Sequence, residues 1–80
     1  MSLDNHAKKV GRNGFRYTKV IYDQKGYAEA EHYIPEDFDM CYLKLDDGTI
    51  KKGWWGGFAW DGASVNKYDT ITQWKRQNNL

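Results

Sequence analysis

The sequence predicts an all-β, mostly antiparallel domain in which two hairpins and short C-terminal strands form a curled sheet or a small open barrel. Two turn signals, DQKG at 23–26 and DG at 47–48, each separate runs rich in aromatic and β-branched residues, which is the pattern of β-hairpins. The chain has 80 residues, and its 16% aromatic content supplies much of the apolar area that so small a core needs. A single domain is therefore expected at 15–76.

The two ends of the chain are predicted to lie outside this domain. Residues 1–14 are polar, contain two glycines and show no periodicity, so we expect a flexible arm. Lys8, Lys9 and Arg12 make this arm basic. Residues 77–80 are expected to fray.

The first hairpin, at 15–34, turns at DQKG, and the sequence leaves two registers open. A type I turn followed by a left-handed glycine, which is a bulged connection, pairs Lys19 with Glu31. A plain two-residue loop pairs Val20 with Glu29 instead. A slip of one residue exchanges the two faces of a strand, so only part of the core is predicted here. The residues expected to be buried are Val20, Ile21, Ile34 and Ala30.

The second hairpin, at 40–55, is predicted from Asp47-Gly48, a dipeptide typical of a tight type I′ turn. A two-residue loop pairs Leu45 with Ile50, and opposite residues share a face. One face then carries Cys41, Leu43, Leu45, Ile50 and Trp54, interrupted by Lys52. The other face carries Met40, Tyr42, Lys44, Asp46, Thr49, Lys51 and Trp55. This register predicts that Trp54 is buried and that Trp55 is at least partly exposed.

The remaining segments are shorter. Pro35 ends the first hairpin because proline donates no ladder hydrogen bond, and the acids that follow it suit a single helical turn. A short strand is expected at 58–60 after two glycines. For 69–76 two alternatives stay open: a closing strand, because threonines and a tryptophan alternate there, or a helix that begins at Asp69 as its N-cap.

Charge is segregated along the chain, although the net charge is only +1. Residues 1–28 carry six Lys and Arg against two acids, residues 29–47 one against seven, and residues 48–80 five against two. The acidic middle either pairs internally with its basic neighbours or forms a surface for a basic partner protein. The second interpretation assigns binding to Glu36, Asp37 and Asp39.

Catalytic and metal-binding patterns are not found in this sequence. Cys41 is the single cysteine, which excludes an internal disulfide and fits a reducing, cytoplasmic compartment. His32 and Glu31 are neighbours in a predicted strand, so their side chains point to opposite faces. The chain is therefore expected to be no enzyme and to hold no metal or cofactor. It shows neither a membrane span nor a signal peptide.

Two binding functions remain open. The first is a non-enzymatic protein-binding module that uses the acidic middle or exposed aromatic side chains, with Trp55, Tyr42 and Lys51 as further candidate residues. The second is a single-stranded nucleic-acid-binding domain, in which bases stack on aromatic rings and lysines attract phosphates. That alternative rests on Lys51, Lys52, Trp54, Trp55, Phe58 and Trp60. The nearly neutral net charge and the need for these rings in the core weigh against it.

The order of motifs over 33–76 resembles a family of small phage and prophage β domains with no assigned function. The shared elements are a proline-acid turn (YIPEDF), a strand, an Asp-Gly hairpin (DDGTI), a Gly-Trp-Trp segment and a closing strand (ITQWKR). Gln73 stands where that family often has histidine in a Val-Thr-His-Trp-type strand, and Lys75-Arg76 replaces its prolines. The resemblance implies a small antiparallel β domain of phage origin that acts in the bacterial cytoplasm, and it transfers no catalytic residues. A phage accessory protein that binds and modulates a host protein is one form that the protein-binding hypothesis takes.

Overall fold

The computed structural model describes residues 6–11 and 14–77, and all regular secondary structure in these residues is β-strand. The strands are β1 (His6–Gly11), β2 (Gly14–Lys19), β3 (Ala28–Glu29), β4 (Tyr33–Ile34), β5 (Cys41–Leu45), β6 (Ile50–Trp55), β7 (Trp60–Asp61) and β8 (Ile71–Arg76). The all-β prediction is confirmed. Within the described part of the chain there is no helix that is long and apolar enough to cross a membrane.

Two antiparallel sheets make up the domain. The smaller sheet has the order β2-β1-β4, and the larger has the order β3-β8-β5-β6-β7. The larger sheet is curled, and the described strands do not close into a barrel. Strand β8 pairs with both β3 and β5, so residues 71–76 form the strand that was one of the two predicted alternatives.

The core lies between the two sheets and is centred on Trp74. This side chain is fully buried, and its indole N–H donates a hydrogen bond to the carbonyl oxygen of Tyr33 at 2.8 Å. The bond joins β8 of the larger sheet to β4 of the smaller one and satisfies the polar end of a large apolar ring. The other members of the core cluster are Ala7, Val20, Ala28, Tyr33, Cys41 and Leu43.

The prediction of an unstructured arm is wrong for residues 6–11. They form the central strand of the smaller sheet, where β1 pairs with β2 from His6–Lys19 to Gly11–Gly14 and with β4 at Lys8–Ile34. Ala7 is fully buried in the core. Ala7 contributes a single methyl group to the core, and so small an apolar side chain leaves little trace in a sequence pattern. The partner strand β4 is distant along the chain. Residues 1–5, 12–13 and 78–80 lie outside the described residues, and with them Arg12 and most of the predicted frayed end. Gln77 is described, and its N–H donates to the Met40 carbonyl at 3.0 Å.

The first hairpin is confirmed only at its turn. The N–H of Gly26 donates to the Asp23 carbonyl at 3.1 Å, and Gly26 has a φ of 87°, as the bulged connection requires. Beyond the single bridge between Tyr22 and Ala28 the two arms diverge. Lys19 pairs with His6 of β1 and not with Glu31, because β2 and β3 join different sheets.

This divergence explains which of the residues predicted to be buried in the first hairpin are in fact buried. Val20 and Ile34 are buried as expected, and Ala30 is partly buried against the core. Ile21 is exposed, contrary to the prediction. It lies just before the bridge, where the chain passes between the sheets. His32, predicted within a strand, is exposed in a turn before β4.

The second hairpin forms in a register one residue away from the predicted one. Leu43 pairs with Lys51 and Cys41 pairs with Gly53, because the loop has three residues and not two. The Gly48 N–H donates to the Leu45 carbonyl at 3.0 Å, and the φ of Gly48 is 89°. Cys41, Leu43 and Leu45 are buried as predicted, but the faces of β6 are exchanged.

The exchange changes the expected environments along β6. Ile50 is exposed, contrary to the prediction. Trp54 shares a side with Lys52 and is half-buried, and Trp55 lies on the inner side with Gly53 and is also half-buried. The inner side is the one that faces the smaller sheet, and the opposite side is called the outer side below.

Two short predicted segments are also corrected. The aromatic strand expected at 58–60 is found at 60–61, because residues 56–59 form a turn closed by a hydrogen bond from the Gly56 N–H to the Ala59 carbonyl at 2.8 Å. The helical turn expected after Pro35 is a β-turn.

Candidate functional site

The β-turn at 36–39 connects β4 to β5 and is attached to the end of β6. The Asp39 N–H donates to the Glu36 carbonyl at 3.2 Å and closes the turn. The Phe38 N–H donates to the Trp55 carbonyl at 2.8 Å, and Asp37 forms a parallel bridge with Trp55. Both backbone contacts hold the turn against the larger sheet.

Phe38 adopts a backbone conformation that is unfavourable for its residue type. Its φ is 66° at the third position of the turn, where glycine or asparagine is the usual choice. The left-handed conformation costs an L-residue with a Cβ about 1–2 kcal/mol. The Phe38 ring does not offset this by burial, since the residue is 71% exposed.

A second turn, at 56–59, lies beside the first. A Cβ atom on Gly57 would lie 3.7 Å from Oδ2 of Asp37, so the two turns are in contact. Phe58, the next residue, is 89% exposed. Residues 36–39 and 56–59, called the two-turn surface below, therefore present two exposed phenylalanines on neighbouring turns at one end of the larger sheet.

The three acids predicted as binding residues pair internally. Glu36 accepts a hydrogen bond from Nη2 of Arg76 at 2.7 Å, and Oδ1 of Asp37 lies 2.8 Å from Nζ of Lys8. Oδ2 of Asp39 is 3.9 Å from Nε of Arg76. Lys8 belongs to the smaller sheet and Arg76 to the larger one, so these ion pairs fix the turn to both.

Arg76 is the buried end of this network. Its guanidinium lies 5.2 Å from the ring of Trp74 and also donates to the hydroxyl of Tyr22 at 3.3 Å. Burial disfavours the charge, but the Glu36 carboxylate outweighs burial and raises the pKa of Arg76 above its ordinary value. The cation therefore remains charged and keeps the turn in place.

Two polar atoms beside the turn are buried without a hydrogen-bond partner in the described residues: Nε1 of Trp55 and Oε1 of Glu36. A buried polar group left unpaired by its surroundings costs about 1–3 kcal/mol. Together with the φ of Phe38 they concentrate unfavourable local features at the two-turn surface. Natural proteins tend to keep such features at functional sites.

The structure brings together four of the six predicted binding residues. Trp55 lies beneath the 36–39 turn, and its ring makes an edge-to-face contact with Trp60 at 5.1 Å between centroids. Tyr42 is on the outer side of the larger sheet, away from this turn. Lys51 is on the inner side, where Nζ lies 2.6 Å from Oδ2 of Asp69.

Phe38 is the residue that sequence reasoning missed. The motif YIPEDF is compatible with a buried or an exposed phenylalanine, and nothing in it specifies a positive φ. The exposed position of Phe58 was predictable from the two glycines before it, because they favour a turn over a buried strand.

The cysteine thiol of this chain is not accessible in the folded domain. Cys41 is fully buried, and desolvation raises the pKa of its thiol to about 12, so a nucleophilic thiolate is not formed at neutral pH. The described residues contain no group of three or more His, Cys, Asp or Glu side chains placed to hold a metal ion.

Comparisons with known proteins give no relative: no protein-family model, curated protein or solved structure matches this chain. Function is accordingly inferred from the side chains themselves. The two-turn surface is the place where unfavourable backbone geometry, exposed apolar rings and a rigid mounting coincide.

Proposed function

We propose that this protein is a small, non-enzymatic protein-binding module that uses Phe38 and Phe58 as its anchors. The observation that carries the proposal is Phe38, which combines a left-handed backbone with a ring exposed to solvent. The left-handed backbone lowers the stability of the free domain, and the exposed ring contributes little burial to offset that cost. A partner that receives the ring in an apolar pocket recovers the burial that the free domain lacks, as at binding hot spots.

Rigidity supports the same proposal. The turn that carries Phe38 is held by the hydrogen bond to Trp55 and by ion pairs to Lys8 and Arg76. An anchor fixed in its bound geometry loses little conformational entropy on association. An exposed ring on a pre-organised turn is therefore suited to binding, whereas a flexible loop would have to be ordered first.

The surroundings of Phe38 define the chemistry of the partner. The side chains of Asp37 and Asp39 remain 44% and 52% exposed, although both are ion-paired. They form an acidic border around an apolar centre, which complements a pocket bordered by Lys or Arg. We propose a basic host protein as partner, bound by this chain as an accessory protein. A phage origin and an action in the bacterial cytoplasm are what the resemblance of 33–76 implies.

The test is affinity capture from a bacterial lysate that has been treated with nuclease. The baits are the unchanged protein, Phe38→Gly, Phe58→Ala and Tyr68→Ala. Tyr68 is a matched control, because it is an equally exposed aromatic residue, at 85%, on the loop before β8. We expect one protein to be retained by the unchanged bait and by Tyr68→Ala and to be lost with either phenylalanine variant.

Affinity is then measured with the purified partner. Loss of a hot-spot ring weakens binding by about 2 kcal/mol, which is about a 30-fold increase in Kd. Equal retention on all four baits, or loss with Tyr68→Ala alone, would contradict the proposal. Amide variants of Asp37 and Asp39 should reduce the association rate more than they increase the dissociation rate, because charges at an interface border act mainly on encounter.

A further inference from the structure

The observed strand register creates a second surface, on the outer side of the larger sheet. Tyr42 in β5 pairs with Lys52 on one neighbour and with Lys75 on the other. Because paired residues share a face, these three side chains form a row across the sheet. Lys44 and Trp54 lie two residues away along β5 and β6 and therefore share that face.

Tyr27, the residue immediately before β3, completes this surface. Nζ of Lys44 lies 5.5 Å from the centroid of the Tyr27 ring, and Nζ of Lys75 lies 5.7 Å from it. Two ammonium groups thus flank one tyrosine. The lysine–aromatic face consists of Tyr27, Tyr42, Lys44, Lys52, Trp54 and Lys75.

The lysines of this face form no direct ion pairs within the described residues. No carboxylate of the described residues lies within ion-pair distance of Lys44, Lys52 or Lys75, whereas Lys51 on the inner side is paired with Asp69. Acids occur at one edge of the face, where Glu29 lies opposite Gln73 in the ladder. Asp23 also lies there and accepts a hydrogen bond from Gln73. Desolvation opposes its charge, but backbone hydrogen bonds from Tyr27 and Lys25, and to a smaller extent the charge of Lys44, lower its pKa. A positive centre is therefore available to an anionic partner.

We propose that the lysine–aromatic face binds single-stranded nucleic acid. Three lysines attract backbone phosphates, while Tyr42 and Trp54 offer half-exposed rings on which unpaired bases stack. A duplex is a poorer ligand, because its bases already stack on one another and offer no free faces. An acidic protein would meet the lysines but would leave the rings without planar partners.

This proposal is independent of the two-turn surface. The face does not include residues 36–39 or 56–59, and it uses the opposite side of the sheet from Trp55. It also differs from the residue set that the sequence indicated, since the register separates Lys51 and Trp55 from Lys52 and Trp54. A negative result for one proposed function therefore leaves the other proposal intact.

The experiment measures fluorescence anisotropy of labelled single-stranded DNA and RNA of about 10 nucleotides, a length typical of one small binding domain. Three phosphate contacts predict a slope of about −2 in a plot of log K against log salt concentration. Lys44→Gln, Lys52→Gln and Lys75→Gln should each reduce the steepness of that slope by about 0.7. Tyr42→Ala should weaken binding about tenfold or more, and Tyr42→Phe should not, because the ring is what stacks.

Lys67 and Tyr68 provide matched controls. They form an exposed lysine–tyrosine contact, with Nζ 5.1 Å from the ring centroid, in the loop before β8. Lys67→Gln and Tyr68→Ala should leave both affinity and salt dependence unchanged. Thermal unfolding of every variant separates lost binding from lost folding, and the lysine variants remain decisive if Tyr42→Ala unfolds.

Three outcomes would overturn the proposal: no binding of single strands by the unchanged protein at low salt, equal losses with the Lys67 and Tyr68 controls, or equal affinity for inorganic polyphosphate. The last outcome would show that charge alone is recognised. Retention of the partner protein by the lysine variants would show that the two-turn surface still functions.

Discussion

Replacing Phe38 with glycine should give a more stable domain than replacing it with alanine. Both variants lose the same exposed ring, so the small burial lost with it cancels in the comparison. Only the glycine variant also loses the Cβ atom that makes a φ of 66° unfavourable. At an ordinary exposed position with negative φ the order of stability is the reverse.

The size of the difference follows from two opposing terms. Relief of the left-handed conformation contributes about 1–2 kcal/mol, and the greater freedom of glycine in the unfolded chain removes about 0.4–1 kcal/mol. The net advantage of glycine is about 0.8 kcal/mol. In a domain of this size that corresponds to a difference in Tm of about 3–6 °C.

Thermal unfolding followed by circular dichroism measures this difference directly. Phe38→Asn is a useful third variant, because asparagine tolerates the left-handed region better than alanine does. A glycine variant no more stable than the alanine variant would refute the strained backbone at Phe38 and, with it, the observation on which the protein-binding proposal rests. Equal binding loss in both variants, despite their different stabilities, would assign the loss to the ring.

Three further predictions concern the core and the response to pH. Cys41 should react with iodoacetamide only as fast as the domain opens. The free energy of unfolding should fall as pH rises from about 8.5 toward the folded pKa of about 12, because only the unfolded thiol ionises in that window. A free energy of unfolding that is constant up to pH 10 would contradict the burial of Cys41. Trp55→Ala should lower the free energy of unfolding by about 2 kcal/mol, which is more than the effect of Trp54→Ala, because Trp55 packs on the inner side. Urea unfolding in which Trp54→Ala is the more destabilising of the two would support the register predicted from Asp47-Gly48. The Asn66 N–H and then Lys51 lower the pKa of Asp69. Its contribution to folding stability is therefore present above about pH 4 and is lost as pH falls through the lowered pKa. Asp69→Asn should reduce this loss of stability in acid, measured by unfolding at a series of pH values, and an unchanged loss would show that Asp69 does not contribute to it.

The two hairpin turns show how far sequence reasoning reaches. Both end with a left-handed glycine, Gly26 at 87° and Gly48 at 89°, and both have the same two backbone hydrogen bonds around it. A type I′ turn and a bulged type I turn each place glycine at such a position. An Asp-Gly pair thus predicts a hairpin reliably, but it leaves the loop length, and hence the register, undecided.

Burial on β5 was predictable and burial on β6 was not, for the same reason. Cys41, Leu43 and Leu45 alternate with polar residues, and that pattern fixes their face whatever the register. Ile50 and Trp54 alternate equally well on either face of β6. Their side is determined by the loop and by packing of distant segments, which a local pattern does not contain.

Long-range pairing also explains the other differences. Strand β1 is the central strand of the smaller sheet because it pairs with both β2 and β4, and β3 pairs with the distant strand β8. Of the candidate site, the sequence indicated the acids and Trp55 as separate binding candidates, but it indicated neither their proximity nor Phe38. A positive φ on a phenylalanine is set by the contacts of the turn with β6 and has no signature in composition or spacing.

The position of β8 has a consequence for biosynthesis. This strand is an internal strand of the larger sheet, yet both of its partners, β3 and β5, are translated before it. While the nascent chain ends before Ile71, those partners have open edges, and the buried face of Leu43 lacks the indole of Trp74 that covers it. The larger sheet can therefore be completed only after β8 has left the ribosome, and until then its open strand edges are exposed to edge-to-edge pairing with other chains.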